Sequence, residues 1–357
     1  MEGQKNESFK LNQNAPIILG IESSCDETAA AVVCGREILS DEISSSASVQ
    51  ALYGGVVPEI ASRAHTDAVE KVVETAIKNA GITLDDIDAV AVTYGAGLLG
   101  ALLVGVSYAK ALAYALKKPL VAVDHIRGHL SAAYLVDKGL KPPFVTLLAS
   151  GGHTAILYAE TEEEFEILGA TKDDAAGEAF DKVARVLGLK YPGGPNIERC
   201  ALNGEANIPM PKMFKGSAGY DFSYSGLKTA VINYCHTKDQ KGEPYRKEDV
   251  AASFQKAAVD VLIEKTVAAA KEKKVKTVTA GGGVAANTYL REGLKQACDK
   301  AGLTLVLPEK RYCTDNAAMI ACEGGIQYRL GNFADLSLNA KASIPLTKTL
   351  KSQSDGK

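Results

Sequence analysis

Short apolar runs alternate with stretches of helical spacing along this 357-residue chain. Residues 16–22, Pro-Ile-Ile-Leu-Gly-Ile-Glu, read as a buried strand. A tight polar turn follows, Ser23-Ser-Cys-Asp-Glu-Thr28, and the alanine–valine run 29–33 reads as a second strand. The pattern recurs near residue 144, where 144–149 predicts a strand, 150–154 a turn and 155–158 a strand. Between the two units, 62–80 has helical spacing and 88–93 is a short buried strand. Gly95-Ala-Gly-Leu-Leu-Gly100 is a glycine turn that opens an apolar helix through residue 115. The strand 120–123 then delivers the chain to His125. In the second half, 175–187 and 250–271 predict helices, and 275–279 predicts a strand. That strand runs into Gly281-Gly-Gly-Val-Ala-Ala-Asn287, which opens another helix. Asp315 sits where an N-cap belongs, before a helix over 317–330. Alternating strands and helices predict an α/β protein.

Two strand–turn–strand units about 130 residues apart point to a duplicated architecture. This resembles the actin-like ATPase and sugar-kinase fold. The resemblance implies two lobes around a central cleft, the first hairpin of each supplying a phosphate loop. Its N-terminal lobe would take 16–130 plus about 325–346, and its C-terminal lobe 131–324. Residues 1–15 and 347–357 would be flexible polar tails.

Composition narrows the class. A hydrophobic fraction of 46% and a charged fraction of 23% suit an ordinary globular protein. The net charge of −3 excludes a global field that attracts nucleic acid, so RNA binding would need a local patch or partner proteins. Seven cysteines form no CxxC pair and read as reduced thiols in a cytoplasmic protein. The first residues lack both a secretory core and the arginines of a mitochondrial presequence. No apolar run reaches the ~18 residues of a membrane span.

The candidate chemistry begins with His125 and His129. At i, i+4 on a helix they share a face and supply two of the nitrogen ligands that zinc or iron needs. Asp315 would close the coordination from far along the chain. A zincin protease needs Glu directly after the first histidine, and Ile126 stands there. Ser150-Gly-Gly-His-Thr154 lets backbone N–H groups approach an anion, although Gly-Gly also suits a plain hairpin turn. The strand–glycine–helix junction at 281–287 suits a nucleotide, yet it is neither a Walker loop nor a Rossmann fingerprint, and a close-packed turn explains it equally well. Four carboxylates lie within 173–181; a capped helix accounts for them as readily as a ribose contact from Asp181. Tyr191-Pro-Gly-Gly-Pro195 reads as a rigid turn. Cys25 has no cationic neighbour in sequence to lower its pKa, so a thiol nucleophile is disfavoured, and the hydroxyls and carboxylates of Glu22-Ser-Ser-Cys-Asp-Glu-Thr28 fit a phosphate- or metal-facing turn better.

Taken in order, the motifs resemble the universal tRNA threonylcarbamoyladenosine transferase family. They are Gly20-Ile-Glu-Ser-Ser-Cys-Asp-Glu-Thr28, Tyr53-Gly-Gly-Val-Val-Pro-Glu59, His125-x-x-x-His129 and Ser150-Gly-Gly-His-Thr154, then Asp173-Asp-Ala-Ala-Gly-Glu-Ala-Phe-Asp-Lys182, Tyr191-Pro-Gly-Gly-Pro195, Asp221-Phe-Ser-Tyr-Ser-Gly-Leu-Lys228, Gly282-Gly-Val-Ala-Ala-Asn287 and Cys313-Thr-Asp-Asn316. His153 in the glycine loop is similar to the bacterial and mitochondrial branch. The resemblance implies one divalent ion, iron or zinc, on His125, His129 and Asp315. It implies that threonylcarbamoyl-adenylate, or an AMP- or ATP-like nucleotide, lies against Ala149, Ser150, Gly151, Gly152, His153, Asp181, Gly194 and Asn287, with Glu198 beside the ribose. The implied reaction is acyl transfer to the exocyclic amine of adenosine 37 in tRNAs reading codons that begin with A, with release of AMP. No side chain is assigned as general base. The implied partners are tRNA, a TsaB-like paralogue and a TsaE-like ATPase, with a TsaC-type synthase supplying the intermediate; no membrane is involved. Lys182, Arg185, Lys212, Lys215 and Lys228 are candidate phosphate contacts, although solvated surface lysines are the commoner explanation. One departure is Ala96, where the family carries Pro between two glycines, which loosens that turn by ~0.5–1 kcal/mol. The rival readings are a metalloprotease, a non-catalytic scaffold and a small-molecule kinase.

Overall fold

The computed structural model describes residues 15–213 and 219–344. The proposed tails, apart from Ala15, and Lys215 lie outside the described residues. The first sheet contains β1 (Ile17–Glu22), β2 (Glu27–Cys34), β3 (Glu37–Ser45), β4 (Ala89–Gly95) and β5 (Leu120–Asp124). The second contains β6 (Phe144–Ala149), β7 (Thr154–Ala159), β8 (Phe165–Ala170), β9 (Thr277–Gly281) and β10 (Thr304–Val306). The helices are α1 (Ala47–Gln50), α2 (Pro58–Ala80), α3 (Leu99–Leu116), α4 (His125–Val136), α5 (Ala176–Val186), α6 (Gly193–Ala201), α7 (Ser225–Lys241), α8 (Lys247–Glu272), α9 (Thr288–Ala301) and α10 (Ala317–Arg329).

The two sheets repeat one topology. Their orders are β3-β2-β1-β4-β5 and β8-β7-β6-β9-β10. In each, the first three strands are an antiparallel meander, and the last two join in parallel beside the first. Parallel strands need crossover helices, so the apolar runs of β1, β4, β6 and β9 are covered on both faces.

Side-chain alternation along β1 separates two cores. Leu19 and Ile21 point into the layer with α2 and α3, whereas Ile18 points toward α4 and α10. That second core is continuous with Phe144, Leu148, Ala155 and Leu157 of the other sheet, so α4 and α10 are the shared middle layer. A third core fills the far side of the second sheet, under α5 to α9. Glycine permits the close approach of α10 to β1. A Cβ on Gly20 would lie 2.5 Å from the Ala317 carbonyl oxygen and 2.6 Å from the Ala321 nitrogen.

Several sequence expectations shift here. The rigid turn at 191–195 lasts only to Pro192, after which α6 begins at Gly193. The helix near the C-terminus is capped by Asn316, which accepts from Met319 N at 2.9 Å, and not by Asp315. Asp315 is thereby released from capping. α3 spans 18 residues at a mean hydropathy of 1.6 despite Lys110, so one helix among those described has the length and composition of a membrane span. Its buried face, including Leu102, Val106 and Ala109, packs in the α2–α3 layer.

Candidate metal centre and the surrounding cleft

β5 ends at Asp124, whose carboxylate caps α4 by accepting from Ile126 N at 2.7 Å. This starts α4 at His125 and places His125 and His129 one turn apart on one face. Their rings stand edge to face with centroids 4.6 Å apart. Asp315 arrives from the turn before α10. Its Oδ1 lies 3.4 Å from His125 Nε2 and 3.2 Å from His129 Nε2. One ligand atom from each of the three residues lies within 4.8 Å of the others.

Two observations show that these residues fit a metal ion. His129 is buried, and neither of its ring nitrogens has a hydrogen-bond partner; the approach of Nε2 to Asp315 is within ion-pair reach but off hydrogen-bond geometry. An orphaned buried imidazole is costly unless something else satisfies it. His125 is held from behind, with Nδ1 3.3 Å from Glu22 Oε2 and 3.3 Å from Ser24 Oγ. A carboxylate on Nδ1 fixes the tautomer that presents Nε2 to a metal. Two imidazoles and one carboxylate match zinc or iron.

Glu22 is fully buried at the end of β1. Thr93 Oγ1 donates to its Oε2 at 2.6 Å, and Ser24 N donates to Oε1 at 2.5 Å. Burial pushes this carboxyl up, but the charge and hydrogen bond of His125 outweigh it and leave the pKa lowered. Burial likewise pushes His125 down, yet Asp315 and Glu22 together raise it well above its ordinary value. Against burial, the two histidines hold Asp315 well below the usual carboxylate range. His129 is lowered, chiefly by burial. His153 falls to about 4, first through burial and then through the charges of His125 and His129.

The other sequence-derived residues form a chain of contacts leading from this centre. Gly281 of β9 lies against His129, where a Cβ would come within 2.9 Å of the His129 carbonyl oxygen. Gly282, at φ +88°, touches the Ala149 carbonyl and Ser150. Ser150 closes the 150–153 turn, donating from N to His153 O at 2.8 Å and accepting from His153 N on Oγ at 3.1 Å. Its carbonyl accepts from Gly177 N at 3.1 Å, which docks the start of α5. One helix farther, Asp181 Oδ1 accepts from Gly193 N at 2.6 Å, tying α5 to α6. Burial raises the Asp181 pKa despite that bond. Glu198 of α6 accepts from Thr288 N at 2.9 Å, while Asn287 caps α9 through Leu290 N at 3.0 Å and donates to Gln255 at 2.9 Å.

Gly151, Gly152 and Gly194 differ from their neighbours. A Cβ on any of them would meet nothing within 4 Å. None has a positive φ among the glycines that do. Nothing inside the chain requires glycine at these points, and all three border the contacts just described.

The first lobe forms the opposite wall. Tyr191 is pushed above its usual range, first by burial and then by Asp26 and Asp181, so the acidic turn after β1 faces α5 and α6. Arg185 reaches across to donate to the Gly54 carbonyl at 2.9 Å. Cys25 is pushed above its usual range by burial and by Asp26, which makes it a poor nucleophile.

The candidate phosphate contacts divide. Lys182 pairs with Asp174 at 2.8 Å and Glu178 at 2.6 Å, and Lys228 pairs with Asp174 at 2.6 Å. Lys212 is exposed. Asp173 is spent on the start of α7, accepting from Tyr224 N at 2.7 Å and Ser225 Oγ at 2.6 Å. The sequence reading of 22–28 as a phosphate- or metal-facing turn did not single out the contact of Glu22 with His125, which the structure shows at 3.3 Å. Sequence reasoning also overlooked Arg127 and Glu323, which pair at 2.6 Å in the middle layer.

Comparison with known proteins agrees with this architecture. The chain has the actin-like ATPase and sugar-kinase fold. It is similar to HypF of T. kodakarensis, at a TM-score of 0.61 and 16% identity, over 89% of this chain and 48% of that one. It is also similar to the activator of the 2-hydroxyisocaproyl-CoA dehydratase from Clostridium difficile, at a TM-score of 0.50 and 13% identity, over 88% of this chain and 96% of that one. These likenesses concern the fold alone. The profile of TsaD, tRNA N6-adenosine threonylcarbamoyltransferase, matches residues 37–322. Proteins named tRNA N6-adenosine threonylcarbamoyltransferase are 52% identical in Clostridium perfringens strain SM101, over 93% of this chain and 99% of that protein, and 53% identical in Clostridium botulinum strain Kyoto, over 92% and 97%. The chain belongs to the tRNA N6-adenosine threonylcarbamoyltransferase family and is a tRNA-modifying transferase.

Proposed function

We propose that this enzyme moves the threonylcarbamoyl group from threonylcarbamoyl-adenylate to the exocyclic amine of adenosine 37, in tRNAs reading codons that begin with A, and releases AMP. The observation that carries this reading is the convergence of His125, His129 and Asp315 around an orphaned, buried imidazole. These three residues would hold one divalent ion, iron or zinc. Such an ion supplies Lewis acidity toward the threonylcarbamoyl group. Glu22 and Ser24 orient His125 from behind. Gly151 and Gly152 leave open space where backbone N–H groups meet developing oxyanion charge. Ala149, Ser150 and His153 shape that loop, and Asp181, Gly194, Glu198 and Asn287 border the nucleotide end. Holding both ends fixes the reacting carbon relative to the incoming amine. The adenosine amine forms the new C–N bond as the C–O bond to AMP breaks, the bonding pair leaving with AMP and the displaced amine proton passing to solvent. No general base is assigned.

The residue set disfavours the rivals. A metalloprotease needs a carboxylate base after His125, and Ile126 is apolar and buried. A scaffold has no use for two buried histidines and a carboxylate converging on an orphaned nitrogen. The net charge of −3 supports a partnered enzyme, with a TsaB-like paralogue, a TsaE-like ATPase and a TsaC-type synthase upstream, acting in the cytoplasm.

The test is incorporation of labelled threonine into unmodified tRNA. The mixture holds ATP, bicarbonate, the synthase and both partners, with and without this chain. Label in digested adenosine only when the chain is present is the expected result, with little label when both partners are omitted. No label, despite proven formation of the adenylate, would overturn the reading.

A further inference from the structure

The buried ion pair of Arg127 and Glu323 lies in the middle layer, away from the cleft. Arg127 sits between the two histidines on α4, about 200° around the helix from each. It is 7% exposed and Glu323 is 1% exposed. Arg127 Nε donates to Glu323 Oε1 at 2.6 Å, and Gln327 Nε2 donates to the same oxygen at 2.6 Å. Ser131 Oγ donates to Glu323 Oε2 at 2.5 Å. One carboxylate therefore collects donors from two turns of α4 and from its own helix α10.

The remaining Arg127 nitrogens reach the second lobe. Nη1 donates to the Glu163 carbonyl at 2.8 Å and Nη2 to the Glu162 carbonyl at 3.1 Å, both in the hairpin between β7 and β8. Glu162 also pairs with Arg36 of the β2–β3 turn at 2.5 Å and with Arg329 at the end of α10 at 2.9 Å. The network thus pins both sheets to the two helices of the shared layer.

The registration matters because α4 and α10 run side by side in the same direction. His125 and His129 meet Asp315, Gly128 meets Ile320 and Met319, and Arg127 and Ser131 meet Glu323. At Gly128 a Cβ would lie 2.7 Å from Ile320 Cδ1, so the Ile320 and Met319 side chains of α10 rest directly on the α4 backbone, and the contact there is wholly apolar. Apolar contact is non-directional. A bidirectionally hydrogen-bonded ion pair is not, and such groups specify register at a cost in stability. A one-residue rotation of α4 would swing both imidazoles by about 100° away from Asp315.

We infer that Arg127 and Glu323 are positioning residues that set the register of α4 on α10 and so hold the two histidines opposite Asp315. This rests on the assignment of His125, His129 and Asp315 as ligands. Their own contribution is geometric, with no contact to substrate.

The test uses the double variant Arg127→Met with Glu323→Leu, which replaces the pair by apolar groups of similar volume and avoids a stranded charge. Glu323→Gln, close in shape, is the second variant. Each purified full-length protein is stripped of metal and titrated with Co²⁺, reading the dissociation constant and the visible absorption bands. Thermal unfolding and circular dichroism report the fold. The expected result is a folded double variant whose Co²⁺ affinity falls 10–100-fold with altered bands, Glu323→Gln falling between it and the wild type. A folded variant with wild-type affinity and bands would overturn the inference and leave the pair a purely structural device. If the double variant does not fold, Glu323→Gln decides by the same two readouts. Wild-type protein that binds no Co²⁺ at His125 and His129, shown with His129→Ala, would instead remove the ligand assignment on which the inference stands.

Discussion

At the scale of single residues, the site is a buried charge problem solved by pairing. Glu22, His125 and Asp315 each lose hydration and regain it from one another. Glu22→Gln keeps the shape but removes the negative charge behind His125. It is expected to weaken metal binding by about 10–100-fold, measured by competition with a chelator; unchanged affinity would detach Glu22 from the site. His153 gives a pH prediction. Its folded pKa of about 4 lies below the ordinary 6.5, so the unfolded chain binds the proton first. Its contribution is complete above about pH 6.5 and is lost as pH falls toward 4. Allowing for its partial exposure, the loss is on the order of 2 kcal/mol. Denaturant unfolding of His153→Gln should show a flatter stability profile across that window, and an identical slope would contradict the assignment. The histidine pair and Asp315 were legible in the sequence because helical spacing and a distinctive local motif mark them. The turn 22–28 was legible as phosphate- or metal-facing, but the contact of Glu22 with His125 was not, because strand pairing alone brings residues 22, 93 and 125 together.

Among the elements, legibility follows burial. The central strands β1, β4, β6 and β9 are nearly continuous apolar runs and could be read directly. The strands that the pattern did not reveal, β3, β8 and β10, are all at sheet edges. An edge strand has one neighbour and mixed exposure, as in Glu37–Ser45, so its apolar signal is broken. α7 also escaped, since its buried stripe is only Leu227, Val231 and Cys235 in seventeen residues. α6 was hidden by the glycines and proline of its first turn. Gly20 is one point of close packing between elements, since it admits α10 to β1. Gly20→Ala should cost about 1–3 kcal/mol in denaturant unfolding as α10 shifts. Because Asp315 precedes that helix, metal affinity should fall as well. Unchanged stability would show that α10 has slack the structure does not suggest.

Across the whole molecule, one topology used twice builds two walls, and α4 with α10 joins them. The duplication was visible in the two strand–turn–strand units, but the shared middle layer was not, because its helices are separated by about 180 residues of chain. We propose lobes of 16–130 with about 325–346, and of 131–324; α10, spanning Ala317–Arg329, is one continuous helix across the second boundary. The arrangement brings the proposed ligands from α4 and from the turn before α10 to the place where the glycine loop of the second sheet ends. The central claim is that His125, His129 and Asp315 form the metal centre on which transfer depends. The most direct measurement is the single-turnover rate of threonylcarbamoyl transfer from preformed adenylate to tRNA, in the assembled complex, as metal is titrated into stripped protein. The account predicts a rate that rises in proportion to occupancy and saturates at one ion per chain, with both occupancy and rate lost in His129→Ala. A full rate in metal-stripped protein, or full occupancy in His129→Ala, would contradict it.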